Sequence, residues 1–332
     1  MHPAITGLIT IIVGVGACVA YFYASNIILD RVIFPAKGAN AGRNINRANL
    51  VRPWLFLFPA LFVLTVYLAY PVFATLWLSV TDRAADGAFV GLANYRQMAS
   101  EPKFWEAIRN NMLWLIVVPA ASTAFGLLAA QLTDRISWGN IAKSLIFMPM
   151  AISFVGASVI WKLIYDTRPE GADQIGILNA IWVSLGGEPQ TWLTNEPMNS
   201  FLLMLVLIWI QTGFAMVILS AALRGIPEET VEAAIVDGAN PFQIFFKIKV
   251  PQIMPTIVVV WTTITLVVLK VFDIVLAMTN GQWGTQVLAN YMYDRMFRAF
   301  EWGVGSAAAI VIMLLVTPIL VWNVYNVRKE MR

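Results

Sequence analysis

The chain has 332 residues, of which 59% are hydrophobic and only 12% charged, with a formal net charge of +3. Soluble domains carry about 45–50% apolar and about 25% charged residues, so this composition cannot cover a water-soluble enzyme of such length. The single cysteine, Cys18, excludes an internal disulfide or thiolate cluster, and the single histidine, His2, excludes Ser-His-Asp triads, Cys-His dyads and the HExxH zinc motif; the small net charge suggests no nucleic-acid partner.

The hydrocarbon core of a bilayer is about 30 Å thick and takes about 20 apolar residues of helix. Runs of that kind lie at 4–29, 54–80, 107–133, 141–164, 200–223, 255–278 and 303–327. The expected fold is an all-α integral membrane protein with seven transmembrane helices. No Lys or Arg precedes the first run. A cleaved signal peptide normally has a positive start, so a retained span is expected over cleavage near Ala24. Residues 36–53, rich in Gly, Asn and Arg, read as a solvated basic linker. They divide an N-terminal part, 1–53, from a core, 54–332.

Lys and Arg accumulate on the cytoplasmic side of membrane proteins. Segments 30–53, 134–143, 224–249 and 328–332 hold 13 of them, against 6 in segments 82–106, 165–199 and 279–302. The N-terminus is then outside, and the tail Arg328-Lys329-Glu330-Met331-Arg332 is cytoplasmic. The long outer loop 165–199 is rich in Gly, Pro and acidic residues. No internal repeat stands out, which argues against the inverted repeats of many secondary transporters.

One cytoplasmic loop carries the most information. Residues 224–255 read RGIPEETVEAAIVDGANPFQIFFKIKVPQIMP. Pro227 suits a first helical turn, and Glu228, Glu229 and Glu232 place negative charge near the positive helix end. Val231, Ala234 and Ile235 form one apolar stripe at helical spacing. Gly238 stands where a left-handed C-terminal cap belongs. Asn240-Pro241 then restarts a helix whose apolar face is Ile244, Phe245 and Ile248, and Pro251 and Pro255 end it. An amphipathic hairpin on lipid headgroups is the alternative, but three acidic residues oppose a negative inner leaflet.

Glu232-Ala233-Ala234, Asp237-Gly238-Ala239, Pro241-Phe242, Ile248, Pro251 and Pro255 together resemble the EAA loop of binding-protein-dependent ABC importer permeases. The resemblance runs over about 54–327, with the conserved-type transmembrane domain at about 106–327 and the cytoplasmic coupling loop at 224–251. Phe58-Pro59-Ala60, Tyr70-Pro71, Phe89-Val90-Gly91-Leu92-Ala93-Asn94-Tyr95, Phe104-Trp105 and Thr279-Asn280-Gly281 look like sugar permeases of the maltose type. The extra first span resembles the larger, MalF-like subunit, and the detail is closest to α-glucoside permeases. This resemblance implies a multi-pass protein of the bacterial inner membrane, translocating a sugar by alternating access. It also implies a second permease subunit, two cytoplasmic ATPase subunits and an extracytoplasmic solute-binding protein as partners. ATP and Mg would be bound by the ATPase subunits; this chain has no Gly-Lys pair and hence no phosphate-cradling loop of the GxxxxGK[ST] kind. It implies that the hairpin seats in an ATPase cleft, with Ala233 and Ala234 allowing close approach and Glu232 and Asp237 offering acceptors.

Polar groups inside spans are costly and hence informative. Gln211, in Trp209-Ile210-Gln211-Thr212-Gly213-Phe214, suits a carbohydrate path, with an interhelical amide hydrogen bond as the alternative. Lys270 and Asp273, at i and i+3, are expected to form an ion pair in the membrane, or else a gate. By resemblance, sugar contacts fall around Met150, Phe154, Gln211, Phe214, Ile264, Val268 and Val271. These positions are mostly apolar here, so the sugar is held differently, or the partner permease supplies polarity, or the membrane site is weak. Other small solutes, such as a polyol or glycerol phosphate, remain the alternative cargo, and a secondary transporter the alternative mechanism.

Overall fold

The computed structural model describes residues 3–37, 40–82, 87–134 and 136–330, apart from the side chains of Pro3, Asn323, Val324 and 326–330. His2, Arg83, Arg135, Met331 and Arg332 lie outside the described residues. Two units divide the chain, Met1–Ala74 and Thr75–Arg332.

In the first unit, α1 (Pro3–Ile28) ends in a π turn, Leu29–Ile33, and α2 starts at Ala41. Helix α2 (Ala41–Leu64) passes through a second π turn, Thr65–Ala69, into α3 (Tyr70–Ser79). The expected linker is therefore helical over 41–53. Side chains explain why it is not free coil. The Arg52 guanidinium grips the Asp30 carboxylate at 2.6 and 2.9 Å, and Asn44 Nδ2 donates to the Pro35 carbonyl at 2.9 Å. Deeper in the apolar runs, the Tyr21 hydroxyl donates to the Leu55 carbonyl and Phe22 stacks on Phe56 with centroids 5.1 Å apart.

In the second unit, a two-residue ladder (Thr81–Asp82 with Ala88–Phe89) leads to α4 (Ala93–Ser100). The Phe89–Tyr95 motif has a structural job here. Asn94 Nδ2 donates to the Ser79 and Thr81 carbonyls, and the Tyr95 hydroxyl to Ser79 Oγ, so the end of α3 does not leave bare acceptors. Helix α5 (Pro102–Thr133) follows, then α6 (Gly139–Phe147), a 3₁₀ turn at Met148–Ala151 and α7 (Phe154–Ile164). The expected span 141–164 is thus two helices, bent by 105°. Pro149 lacks the donor a continuing helix needs, and Ser153 Oγ caps α7 by accepting from the Gly156 amide at 3.1 Å.

Helix α8 (Ile177–Ser184) lies in the 165–199 loop, and α9 (Met198–Arg224) is the most enclosed helix. Next come α10 (Glu228–Val236), α11 (Pro241–Ile244), a π turn at Phe245–Lys249, α12 (Val250–Gln252) and α13 (Met254–Val268), which bends 71° from the preceding leg. The expected span 255–278 also divides, because the chain turns at Leu269–Phe272 before α14 (Asp273–Met278). Helix α15 (Leu288–Tyr293) and a π turn, Asp294–Arg298, precede α16 (Trp302–Glu330). Among the described residues, five helices are long and apolar enough to cross a membrane, or up to seven if each of the two bent pairs is one span.

The core joins α5, α9 and α13 through Trp114, Val118, Leu203, Leu207, Met216, Ile264 and Val268, all at most 1% exposed. Lipid tails are as apolar as these side chains, so close packing rather than water exclusion must hold the helices together. Small residues permit it: Gly126 of α5 lies against Ala215 of α9, and Gly213 of α9 against the Ile146 carbonyl of α6.

Candidate functional site

Helices α5 and α9 run parallel, which fixes two ends of the second unit. At one end, Asn110 of α5 and Asn199 of α9 both reach the 283–286 segment. At the other, Asp134 following α5 accepts from Ser220 Oγ of α9 at 3.0 and 3.2 Å and pairs with Lys143 of α6. The bent α6–α7 pair therefore carries the chain back across between them. The 227–249 hairpin leaves from the Asp134 end.

That hairpin is locally over-determined. Helix α10 closes in a Schellman arrangement: the Ala239 amide donates to the Ala234 carbonyl and the Gly238 amide to the Ile235 carbonyl. Gly238 has φ +79°, the left-handed conformation that glycine adopts without strain. Asn240 and Gln243 then form a reciprocal capping box, each side chain accepting from the other's backbone amide at 2.9 Å. Ala234 and Ile244 are buried and seat the two legs, with Val231, Phe245 and Ile248 half-buried. Ile235, expected on the buried stripe, instead points outward. It joins Val236, Phe242 and Phe246 as exposed apolar side chains, with Val236 and Phe242 86% and 76% exposed. Ala233, Pro241, Glu232 and Asp237 are exposed too, and neither carboxylate has a partner among the described residues. A groove of about 400 Å³ opens at the hairpin's base between Leu223, Arg224, Glu228, Glu232 and Lys249. Exposed carboxylates, bare apolar side chains and a rigid double cap form a surface suited to docking another protein.

The expected substrate-path residues are placed differently. Ile264 and Val268 are fully buried and Val271 nearly so, inside the core of this chain rather than on an open path. Phe154, Trp209 and Phe214 pack against that core, with Trp209 edge-on to Trp161 at 5.7 Å, and Met150 is exposed. Gln211 is 7% exposed, yet its amide makes no hydrogen bond among the described residues. The interhelical bond that would make it structural is not formed within this chain. Lys270 and Asp273 are not paired either. The break after Val268 leaves Lys270 exposed in the turn and Asp273 in the first turn of α14, so their i, i+3 spacing no longer lies on one helix.

Sequence reading missed the polar anchors at the opposite end. Asn110 Nδ2 donates to the Gly284 and Gln286 carbonyls at 2.7 and 2.8 Å, and Asn199 Nδ2 to the Trp283 carbonyl at 2.7 Å. Asn111 Oδ1 accepts from the Leu288 amide and Glu106 Oε1 from the Gln286 amide. Arg295 joins Glu101 and Glu301, and the Tyr291 hydroxyl donates to Glu101. Burial and the Glu101 carboxylate push the Tyr291 phenol well above its usual range. The available signal was the Asn110-Asn111 pair just inside a span, where amides are rare without a partner.

A family model described as the inner membrane component of binding-protein-dependent transport systems matches residues 122–332. The chain belongs to that family. It is accordingly a multi-pass inner-membrane transport subunit of an ABC importer, not an enzyme. The alpha-glucoside transport system permease protein AglF of Rhizobium meliloti is 63% identical over 334 residues, covering 99% of each chain. The osmoprotective compounds uptake permease protein GgtC of Synechocystis is 48% identical over 83% of this chain and 99% of its own. Among solved structures, a chain of a bacterial ABC transporter involved in import of the acidic polysaccharide alginate superposes with a TM-score of 0.72. It is 20% identical and covers 87% of this chain and 99% of the other. That likeness extends from the sequence to the fold.

Proposed function

We propose that this subunit translocates an α-glucoside or related oligosaccharide by alternating access. Hydrolysis of ATP, with its Mg, takes place in two cytoplasmic ATPase subunits, beside a second, non-identical permease and an extracytoplasmic solute-binding protein. The observation that carries the reading is the 227–249 hairpin. It offers unpaired Glu232 and Asp237 and exposed Val236, Phe242 and Phe246 on a doubly capped frame. Closure of the ATPase dimer would push on this frame and on α9, from which it leaves, and the tie from Ser220 of α9 through Asp134 to α5 and α6 would carry the tilt to those spans. In this reading the core 54–332 forms the permease, the hairpin end is cytoplasmic, and the 165–199 and 279–302 loops meet the binding protein outside. The excess of Lys and Arg on the hairpin side supports that orientation. The solute assignment rests on the 63% identity to an α-glucoside permease. A second reading, a small osmoprotective or polyol-like solute, is favoured by the 48% identity to GgtC. Two experiments test these readings. Affinity purification of the tagged chain in mild detergent should recover an ATPase subunit and a second permease, and recovery of the chain alone would overturn the assembly. Uptake of labelled α-glucosides against polyols by cells with and without the gene should show loss of α-glucoside uptake. Loss of polyol uptake alone would favour the second reading.

A further inference from the structure

We propose that Arg31 and Lys37, after α1, together with Arg43 and Arg47, in the first turns of α2, bind the phosphodiester headgroup of an anionic membrane lipid. The helix Ala41–Ser79 has 39 residues. At 1.5 Å per residue it is about 58 Å long, against a hydrocarbon core of about 30 Å. Its apolar part starts at Trp54, so the first three turns project into the headgroup layer and beyond. Arg43 and Arg47 stand there one turn apart, on one face. Arg31 sits in the π turn that ends α1, and Lys37 in the extended stretch that follows. All four are exposed, and none has an acidic partner among the described residues. Asp30 is the only acid in 30–53, and Arg52 already holds it at 2.6 Å. That pair closes the turn and leaves the other four cations in excess. A crevice of about 280 Å³ opens on the same segment, lined by Phe34, Ile45 and Ala48 together with the Asp30–Arg52 pair. Below it, most of the apolar side chains of both helices are exposed for acyl chains to cover, although Tyr21 and Phe22 meet α2. Unspent cations at headgroup depth above bare apolar helix match an anionic lipid at both its ends. The inference does not depend on the solute or on the ATPase subunits.

Native mass spectrometry of the purified full-length chain tests it, titrating phosphatidylglycerol against phosphatidylcholine of the same acyl chains. The wild type is expected to prefer phosphatidylglycerol at least tenfold, and the preference should shrink as salt is raised. Arg43→Gln with Arg47→Gln should weaken it, and adding Arg31→Gln and Lys37→Gln should abolish it. Arg96→Gln with Arg168→Gln, which removes two unpaired cations elsewhere, should leave it intact. Circular dichroism confirms that the variants are folded, and the wild-type salt series needs no variant. Equal binding of both lipids to the wild type overturns the proposal, as would be expected if the basic turn met an acidic protein instead. So does an unchanged preference in the fourfold variant, or displacement of the lipid by soluble glycerol phosphate, which would indicate a site for a free anion.

Discussion

Gly126 of α5 lies so close to Ala215 of α9 that a methyl group on its Cα would clash with the Ala215 side chain and stand 2.9 Å from the Met216 amide nitrogen. The contact lies at the centre of the helix pair that carries most of the core. Overpacking such a contact costs about 1–3 kcal/mol, because backbones rather than flexible side chains must move. Gly126→Val is therefore expected to lower the thermal midpoint of the detergent-solubilised chain, read by tryptophan fluorescence. Gly7→Val is the control, since nothing lies within 4 Å of a side chain there. Equal midpoints for the two variants would show that α5 and α9 do not pack this closely.

The hairpin separates a backbone effect from a surface effect. A side chain at Gly238 would meet no atom within 4 Å, so Gly238→Val acts only through its φ of +79°. Forcing a β-branched residue into that region costs on the order of 1–3 kcal/mol, enough to distort the turn while leaving the spans inserted. Glu232→Lys removes no hydrogen bond or ion pair among the described residues, so its effect on folding should stay within about 0.5 kcal/mol. Both variants are expected to reach the membrane at wild-type levels, yet lose solute uptake and solute-stimulated ATP hydrolysis in the assembled complex. Normal uptake by both would remove the coupling role from the hairpin.

Much of this architecture could be read from the chain, and the exceptions have physical causes. Hydropathy counts apolar residues but is blind to where a helix bends, so the runs at 141–164 and 255–278 were legible as apolar but not as broken. Pro149 and the Leu269–Phe272 turn decide those breaks through backbone hydrogen bonding. The hairpin was legible because caps are local: Gly238, Asn240 and Pro241 act within four residues of themselves. Ile235 illustrates the limit of helical spacing, since a nine-residue helix has too few turns to fix which stripe is buried. Lys270 and Asp273 failed as a pair for a related reason, because i, i+3 pairing assumes an unbroken helix. The Asn110 and Asn199 anchors act across 174 and 84 residues of sequence, and no local pattern encodes their partners.

Asn110 offers a test of how firmly the 279–302 loop is held. Its amide alone serves two carbonyls, those of Gly284 and Gln286. Asn110→Ala leaves both without that donor, the Gln286 carbonyl in a buried setting and the Gly284 carbonyl in a half-buried one, at a cost of about 1–3 kcal/mol. Hydrogen exchange read by mass spectrometry should show faster exchange across 284–290, with little change in the hairpin at the other end. Asn110→Asp should behave similarly, because a carboxylate cannot donate. Unchanged exchange in both variants would mean that Asn111, Glu106 and Asn199 hold the loop without it.

The most direct test of the translocation path is Gln211. Gln211 is 7% exposed and its amide makes no hydrogen bond among the described residues, so the group is free for a partner outside this chain or is dispensable. Gln211→Leu keeps most of the volume and removes no hydrogen bond among the described residues, so the chain should be no less stable. If the amide serves solute hydroxyls or the partner permease, uptake should nevertheless fall, with KM rising more than the maximal rate declines when the solute is its partner. Co-purification of the second permease separates the two cases. Lost association assigns the amide to the subunit interface, and intact association with a raised KM assigns it to the solute. A variant with wild-type uptake and wild-type association would show that the amide has no role in transport.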